Sequence, residues 1–255
     1  MRFREKNDLL YATFDILDQF PDLRHGVFTR QGGCGEGSFA SLNVGKHNGD
    51  DPSAVFHNRR KIAECFGGRT LFFLSQVHGT RIIVSADMDA AADEQDAPFE
   101  ADGVVSGKPG EMLAIQVADC QSVMLYDPVQ RVVANIHAGW RGSIGNIIGS
   151  CIETMKCRFN ADPKRVVAGI GPSLGPCCAE FINYKTEIPE TFWKYRDAQN
   201  RFNFWQASHD QLEACGVRGG NIQWSNICTR CNTHLFFSYR HANTTGRFAS
   251  VIGMI

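Results

Sequence analysis

The sequence predicts an α/β fold in which mixed sheets carry most of the core. Three observations lead there. Short apolar, β-branched runs such as residues 71–74, 81–84 and 165–170 alternate with stretches of helical period. Strand-to-strand connections are too frequent for pure βαβ winding. No linker-like segment or internal repeat divides the 255 residues, so a single domain spanning 1–255 is expected.

Taken in order, residues 8–20 are expected to begin the sheet as a strand or strand pair, and residues 24–30 form the next strand. That strand runs into Gln31-Gly32-Gly33-Cys34-Gly35-Glu36-Gly37-Ser38, whose glycines serve either a turn or a close approach to a ligand. Gly33, Gly35 and Gly37 are spaced by two and no Gly-Lys-Ser/Thr follows, so neither the dinucleotide fingerprint nor the P-loop is present. Asp51-Pro52 suits a helix start, Val55, Ile62, Ala63 and Phe66 fall at helical spacing, and Gly67-Gly68 stops the helix. Residues 71–74 and 81–84 read as strands joined through Gln76-Val77-His78-Gly79-Thr80, and residues 101–105 as another. Residues 86–100, acidic and alanine-rich, read as an exposed loop or short helix.

The stretch 114–142 is the centre of the chain. Two β-branched runs flank a turn at Asp127-Pro128; the first ends in Ala118-Asp119-Cys120, the second in His137-Ala138-Gly139-Trp140-Arg141-Gly142. Reactive groups at the ends of buried strands are where α/β enzymes keep their chemistry. Ile144, Ile147, Ile148, Cys151 and Met155 then give residues 143–157 one apolar helical face. A strand at 165–170, a mostly helical segment at 179–200 broken at Pro189 and a helix at 206–215 stopped by Gly216 follow. Strands at 221–224, 235–240 and 248–255 complete the chain.

Composition narrows the function classes. A formal charge of −1 with scattered basic residues offers no nucleic-acid surface. No apolar run approaches the ~20 residues that span a bilayer, and acidic residues interrupt the N-terminus before a signal sequence forms. The 10 cysteines form no regular framework and Cys177-Cys178 are adjacent, which favours reduced thiols and a cytoplasmic location. Gly171-Pro172-Ser173-Leu174-Gly175 matches a nucleophile elbow, but Pro172 and Pro176 disrupt the strand-turn-helix context that the elbow requires. Cys228-Thr229-Arg230-Cys231 with His234 has metal-ligand spacing, yet no second pair stands at finger distance, and Cys177-Cys178 could complete the set only by accident of fold. The zinc-deaminase signature is absent.

One constellation remains. His78, Cys120 and His137 each close a separate apolar strand beside small residues. Two imidazoles and a thiolate suit Zn²⁺ with a fourth position open to water or substrate. Asp119, Asp102 and Gln76 lie near these residues in sequence and could orient a ligand or act on a proton.

At these residues the chain resembles the YfiH family, also called laccase-domain or multicopper polyphenol oxidase proteins. The resemblance rests on Q-V-H-G at 76–79, A-D-C at 118–120, H-A-G-W-R-G at 137–142, S-L-N-V-G at 41–45, G-D-D-P at 49–52, C-T at 228–229, F-S-Y-R at 237–240 and T-G-R at 245–247. It implies a single-domain layered α/β/β/α sandwich with mixed β-sheets. It further implies a zinc-dependent purine nucleoside phosphorylase acting on adenosine, inosine, guanosine or methylthioadenosine, with adenosine deaminase as a second activity. The metal ligands would be His78, Cys120 and His137, and the catalytic residues Cys120, His137 and Asp119. Asn43, Arg59, Trp140, Arg141 and Arg240 would bind substrate or phosphate, the start of the helix after Trp140 assisting. Alternative roles implied by the resemblance are a cysteine-dependent amidase editing peptidoglycan precursors and a copper-dependent polyphenol oxidase. With 8 histidines and no His-x-His pair, the chain offers little for a multicopper centre, so zinc is preferred to copper. Expected partners are small molecules, purine nucleoside and phosphate, with neither nucleic acid nor membrane, in a monomer or weak homodimer.

Overall fold

The computed structural model describes residues 1–87 and 99–255, and among these residues twelve strands form two six-stranded mixed sheets. The first sheet is ordered β1 (Arg2–Lys6), β2 (Leu9–Thr13), β3 (Leu23–Phe28), β12 (Phe248–Met254), β7 (Met112–Val117), β4 (Leu71–Phe73). The second is ordered β11 (Ile222–Trp224), β10 (Val167–Ile170), β8 (Gln121–Asp127), β9 (Val132–Ala138), β6 (Gly103–Ser106), β5 (Ile82–Val84). In each sheet antiparallel neighbours dominate, with β4–β7, β5–β6 and β10–β11 parallel.

Strand alternation builds the layers. Leu113, Ile115 and Val117 of β7 share one buried cluster with Met124 and Tyr126 of β8 and Val133 of β9, which fills the space between the sheets. Their sequence neighbours point the other way. Met112 and Ala114 join Phe28 and Val251 under α1 (Pro52–Cys65), which contributes Ile62 and Cys65. Val123, Leu125, Ala134 and Ile136 pack beneath α3 (Ile147–Phe159) and α5 (Phe204–Ala214), which contribute Ile148, Cys151, Met155 and Leu212. The result is the expected α/β/β/α sandwich. Asn135 crosses between the layers: from β9 its amide donates to Leu113 O and Ser250 O, both at 2.9 Å, in the opposite sheet.

Several local expectations are corrected. The strand pair begins at Arg2 rather than residue 8. Strands 71–74 and 81–84 do not pair; they belong to different sheets. The helix expected over 143–157 is two: α2 (Trp140–Ile144) ends at Gly145, and Asn146, left-handed at φ 58°, caps α3 through Gly149 N. Residues 179–200 hold only α4 (Tyr184–Glu187) and a 3₁₀ segment, Glu190–Tyr195, wrapped around an aromatic cluster of Tyr184, Phe202 and Phe204. Residues 235–240 are turns, not a strand; Phe236 and Phe237 leave the backbone to enter the intersheet core. Most of the segment read as an acidic loop, 88–98, lies outside the described residues.

The fold also makes a stability prediction. His25 is buried on β3, where its Nε2 accepts a hydrogen bond from Phe14 N at 2.8 Å. Burial outweighs the attraction of Asp18 and lowers its pKa to about 4, against an ordinary value near ~6.5. A folded pKa below the unfolded one means that the unfolded chain binds the extra proton first. The contribution of neutral His25 is therefore complete above pH ~6.5 and is lost as the pH falls toward 4. Urea midpoints should drop between pH 7 and pH 5 by the equivalent of about 1–3 kcal/mol, and His25→Asn should flatten that slope. Equal slopes in both proteins would assign the acid sensitivity elsewhere.

Candidate functional site

The two sheets are joined by segments that pass from one to the other at the same end of the sandwich. After β4 the chain crosses through Gln76-Val77-His78-Gly79 to β5, and after β7 it crosses through Ala118-Asp119-Cys120 to β8. His78 and Asp119 hold left-handed backbone at φ 61° and 82°, which turns each crossing sharply. His137 stands one residue before the end of β9, on the face that looks between the sheets. The structure thus gathers His78, Cys120 and His137: one ligand atom from each lies within 4.8 Å of the others. The two imidazole rings meet edge to face at 4.8 Å. Gly139 is packed against them so closely that a Cβ there would stand 3.1 Å from Cys120 Sγ and 3.1 Å from His78 Cδ2. This is the reason for glycine in the H-A-G-W-R-G stretch.

Asp102, just before β6, indexes the whole group. Its fully buried carboxylate accepts from the backbone N–H groups of Val77 (3.3 Å), His78 (2.9 Å) and Gly79 (2.6 Å). It also accepts from His137 Nδ1 at 2.7 Å, so Nε2 is the nitrogen of that ring left to meet Cys120 or, once its proton is given up, to ligate a metal. Burial raises the Asp102 pKa, but these hydrogen bonds outweigh it and the net shift is downward. Gln76 seats the same crossing by exchanging hydrogen bonds with the Gln116 backbone at 2.8 and 2.9 Å.

Burial likewise pushes the Cys120 thiol up, yet attraction and hydrogen bonding to His137 and His78 prevail and bring it well below the ordinary thiol range. His137 moves the opposite way: burial lowers it, while Cys120 and Asp102 together raise it above the usual histidine range. The donor set of two imidazoles and a readily ionised thiol fits a borderline-soft cation.

A cleft of about 680 Å³ opens over these residues. Arg59, Asp119, Trp140, Arg141 and Arg240, all candidates from the sequence, line it. Their commitments differ. Arg59 is stacked on Phe73 at 3.8 Å and gives two N–H groups to Val44 O. Arg240 donates to Glu180 O at 2.8 Å. The guanidinium of exposed Arg141 lies over the Trp140 ring at 4.3 Å and makes no hydrogen bond or ion pair among the described residues. Both oxygens of Asp119 are engaged, one by Thr229 Oγ1 and the other by Arg240 N, each at 2.6 Å. Asn43 is a correction: it is not part of the cleft lining but lies buried behind it, accepting from Gly45 N and Arg247 N and donating to Asp50. The expected anion site at the helix after Trp140 shrinks to the five-residue α2.

Sequence reasoning missed Arg247 as a site residue, although T-G-R immediately before β12 was the available signal. Arg247 lines the cleft; burial lowers its pKa, while Cys120 and Asp119 oppose that shift. Gln121 was missed too. Its Oε1 accepts from Ser208, whereas its buried Nε2, like Gln116 Oε1, has no partner among the described residues, and both glutamines line the cleft.

The chain is similar to known proteins over most of its length. A family model described as "Multi-copper polyphenol oxidoreductase laccase" matches residues 24–255. "Purine nucleoside phosphorylase YlmD" of Geobacillus stearothermophilus is 35% identical over 243 residues, 89% of each chain. "Purine nucleoside phosphorylase" of Bacteroides thetaiotaomicron is 30% identical over 94% of each. "Purine nucleoside phosphorylase YfiH" of Escherichia coli is 31% identical over 89% of this chain and 92% of its own. Among solved structures, a hypothetical protein YfiH from Bacillus licheniformis superposes with a TM-score of 0.88 at 30% identity, covering 99% of both chains. YlmD from Geobacillus stearothermophilus superposes with a TM-score of 0.87, also at 30% identity, covering 99% of this chain and 98% of that one.

Proposed function

The chain belongs to the family described as multi-copper polyphenol oxidoreductase laccase, and from that premise we propose that it is a zinc-bearing purine nucleoside phosphorylase. The observation that carries the reading is the convergence of His78, Cys120 and His137 at the floor of a cleft whose volume suits a nucleoside with phosphate. The donor chemistry and the Asp102–His137 pair fit a zinc ion held by those three residues. Zinc held there would supply a Lewis acid beside the bound substrate.

The remaining steps belong to the chain. Trp140 and Phe181 give the cleft an aromatic wall against which a purine can pack. Gln116 Oε1 and Gln121 Nε2, without a partner among the described residues, are free to hydrogen-bond the polar edge of a base or sugar. Arg141, with its guanidinium uncommitted, binds phosphate in fork geometry. A phosphate oxygen then attacks C1′ of the ribose as the bond to the purine nitrogen breaks, and the base leaves with its electron pair and takes a proton. Asp119, with both oxygens engaged, holds the Cys120 crossing in place.

A second reading has an observation of its own. Cys120, His137 and Asp102 stand in the order nucleophile, base and orienting carboxylate, the arrangement of a cysteine-dependent amidase if no metal occupies the thiolate. Metal content combined with base release from adenosine, inosine, guanosine and methylthioadenosine, with and without phosphate, separates the two. Metal-free protein that releases no base would remove the phosphorylase reading. Adenosine deamination is assayed in the same reactions as inosine formation without phosphate.

The arginines give a sharper expectation. Arg141→Ala should raise the KM for phosphate by about tenfold or more, the loss of one charge-assisted contact, and leave the nucleoside KM within about twofold. Arg59→Ala should act mainly on stability, because its N–H groups already serve Val44. A phosphate KM unchanged by Arg141→Ala would move the anion site to Arg247 or Arg240.

A further inference from the structure

Outside the cleft the fold assembles a second group with no part in the chemistry above. Cys177 and Cys178, at the end of the loop after β10, meet Cys228 and Cys231, in the loop after β11, with all four sulfurs within 4.8 Å of one another. We propose that these four thiols form a tetrathiolate metal site, occupied by zinc, that fastens the two loops together.

The distances support coordination rather than cross-linking. Cys231 Sγ stands 3.6 Å from Cys177 Sγ and 3.5 Å from Cys178 Sγ. A disulfide would require about 2.0 Å. Four sulfurs at the ~2.3 Å zinc–thiolate bond length, arranged tetrahedrally, stand about 3.8 Å apart. All ten cysteines of the chain are free, so none of these four is tied up elsewhere. His234, which completed the spacing in sequence, is not in the group; the adjacent Cys177-Cys178 pair takes its place.

The surroundings are those of a thiolate. Gly175 N donates to Cys228 Sγ at 3.3 Å, and the Cys231 N–H adds a second donor to the same sulfur. Backbone N–H groups aimed at sulfur stabilise its ionised form. Four thiols this close cannot all ionise against one another, and a divalent cation at their centre removes that conflict as the thiol protons pass to solvent. A closed set of four sulfurs leaves no open position, so the site is structural and not catalytic.

Its placement gives it an effect on the cleft. Ser173 and Cys228 are bridged as neighbouring strands, with Thr229 N donating to Ser173 O at 3.0 Å. From these same loops Thr229 Oγ1 and Leu174 N hold Asp119, beside Cys120. The metal would therefore stiffen the wall that fixes the Cys120 crossing.

The test separates the two sites. Cys120→Ala removes the thiolate of the cleft, and that variant, purified without chelator, should retain about one zinc per chain. Adding Cys231→Ser, at an exposed position, should reduce the retained zinc by at least about tenfold. Cobalt substituted into Cys120→Ala should show intense thiolate charge-transfer absorption that vanishes in the double variant, with circular dichroism confirming that both fold. Metal-free Cys120→Ala whose four thiols react at once with a thiol reagent overturns the proposal, as does a mass lower by the two hydrogens of a disulfide. Failure of the phosphorylase reading would look different: zinc would persist in Cys120→Ala while the wild type released no base.

Discussion

Cys120→Ala is expected to abolish phosphate-dependent base release and to empty the cleft of its metal. On the zinc reading proposed above, the thiolate would be one of three ligands, and the other two would be imidazoles that cannot reproduce its charge. Loss of a partner that only orients a ligand costs about 10–100-fold in metal affinity. Loss of the ligand itself should therefore exceed about 100-fold, measured by competition with a chelator after any zinc at the four-cysteine site has been accounted for. The fold should survive, since Cys120 lies at a crossing at the cleft and alanine fits the space. A variant that keeps its zinc in the cleft and releases base within about threefold of the wild-type rate would show that Cys120 is neither ligand nor nucleophile.

Asp102 should be the most damaging position to truncate. Its carboxylate is fully buried and receives three backbone N–H groups and the His137 ring. Asp102→Ala strands all four donors, and breaking a buried charged network of this kind costs about 3–5 kcal/mol. Asp102→Asn should behave differently. The asparagine oxygen can satisfy part of the turn, but an amide NH₂ facing Nδ1 favours the tautomer with the proton on Nε2, where the ligand lone pair is needed. We expect Asp102→Asn to fold with a modestly lowered midpoint and to lose about 10–100-fold in metal affinity. Equal loss of stability in both variants, with metal affinity untouched in the asparagine form, would confine Asp102 to a structural role.

Much of this was legible in the chain. The helix opening at Asp51-Pro52, the long apolar runs and the trio His78, Cys120 and His137 announce themselves through caps, periodicity and the residues that interrupt the runs. What sequence could not show is which sheet each run joins. The central strands are covered on both faces, so β7 and β8 read as a continuous apolar run, and Ala118-Asp119-Cys120 looks like its end when it is the passage between layers. The aromatic stretch at 235–240 imitates a strand because Phe236 and Phe237 are buried, though they reach the core from turns. Residues 179–200 read as helical because their aromatics pack together, yet they do so from short turns. Asp102 was one of three candidates to orient a ligand; its four donors, brought from β9 and the 77–79 turn, single it out. The four-cysteine group was half legible: Cys228-x-x-Cys231 has metal-ligand spacing, but that Cys177 and Cys178 complete it, from a loop some fifty residues away, only the fold shows.

The passages between the layers have one more consequence. His78 and Cys120 hang where the chain leaves one sheet for the other, while His137 belongs to the second sheet alone. The triangle they form is thus a caliper set on the gap between two sheets, and the gap is kept by Leu113, Ile115, Met124 and Val133. If that triangle holds a cation, as proposed above, its grip would be a property of packing deep in the interior, and side chains that never meet the cleft would share in deciding what it can hold.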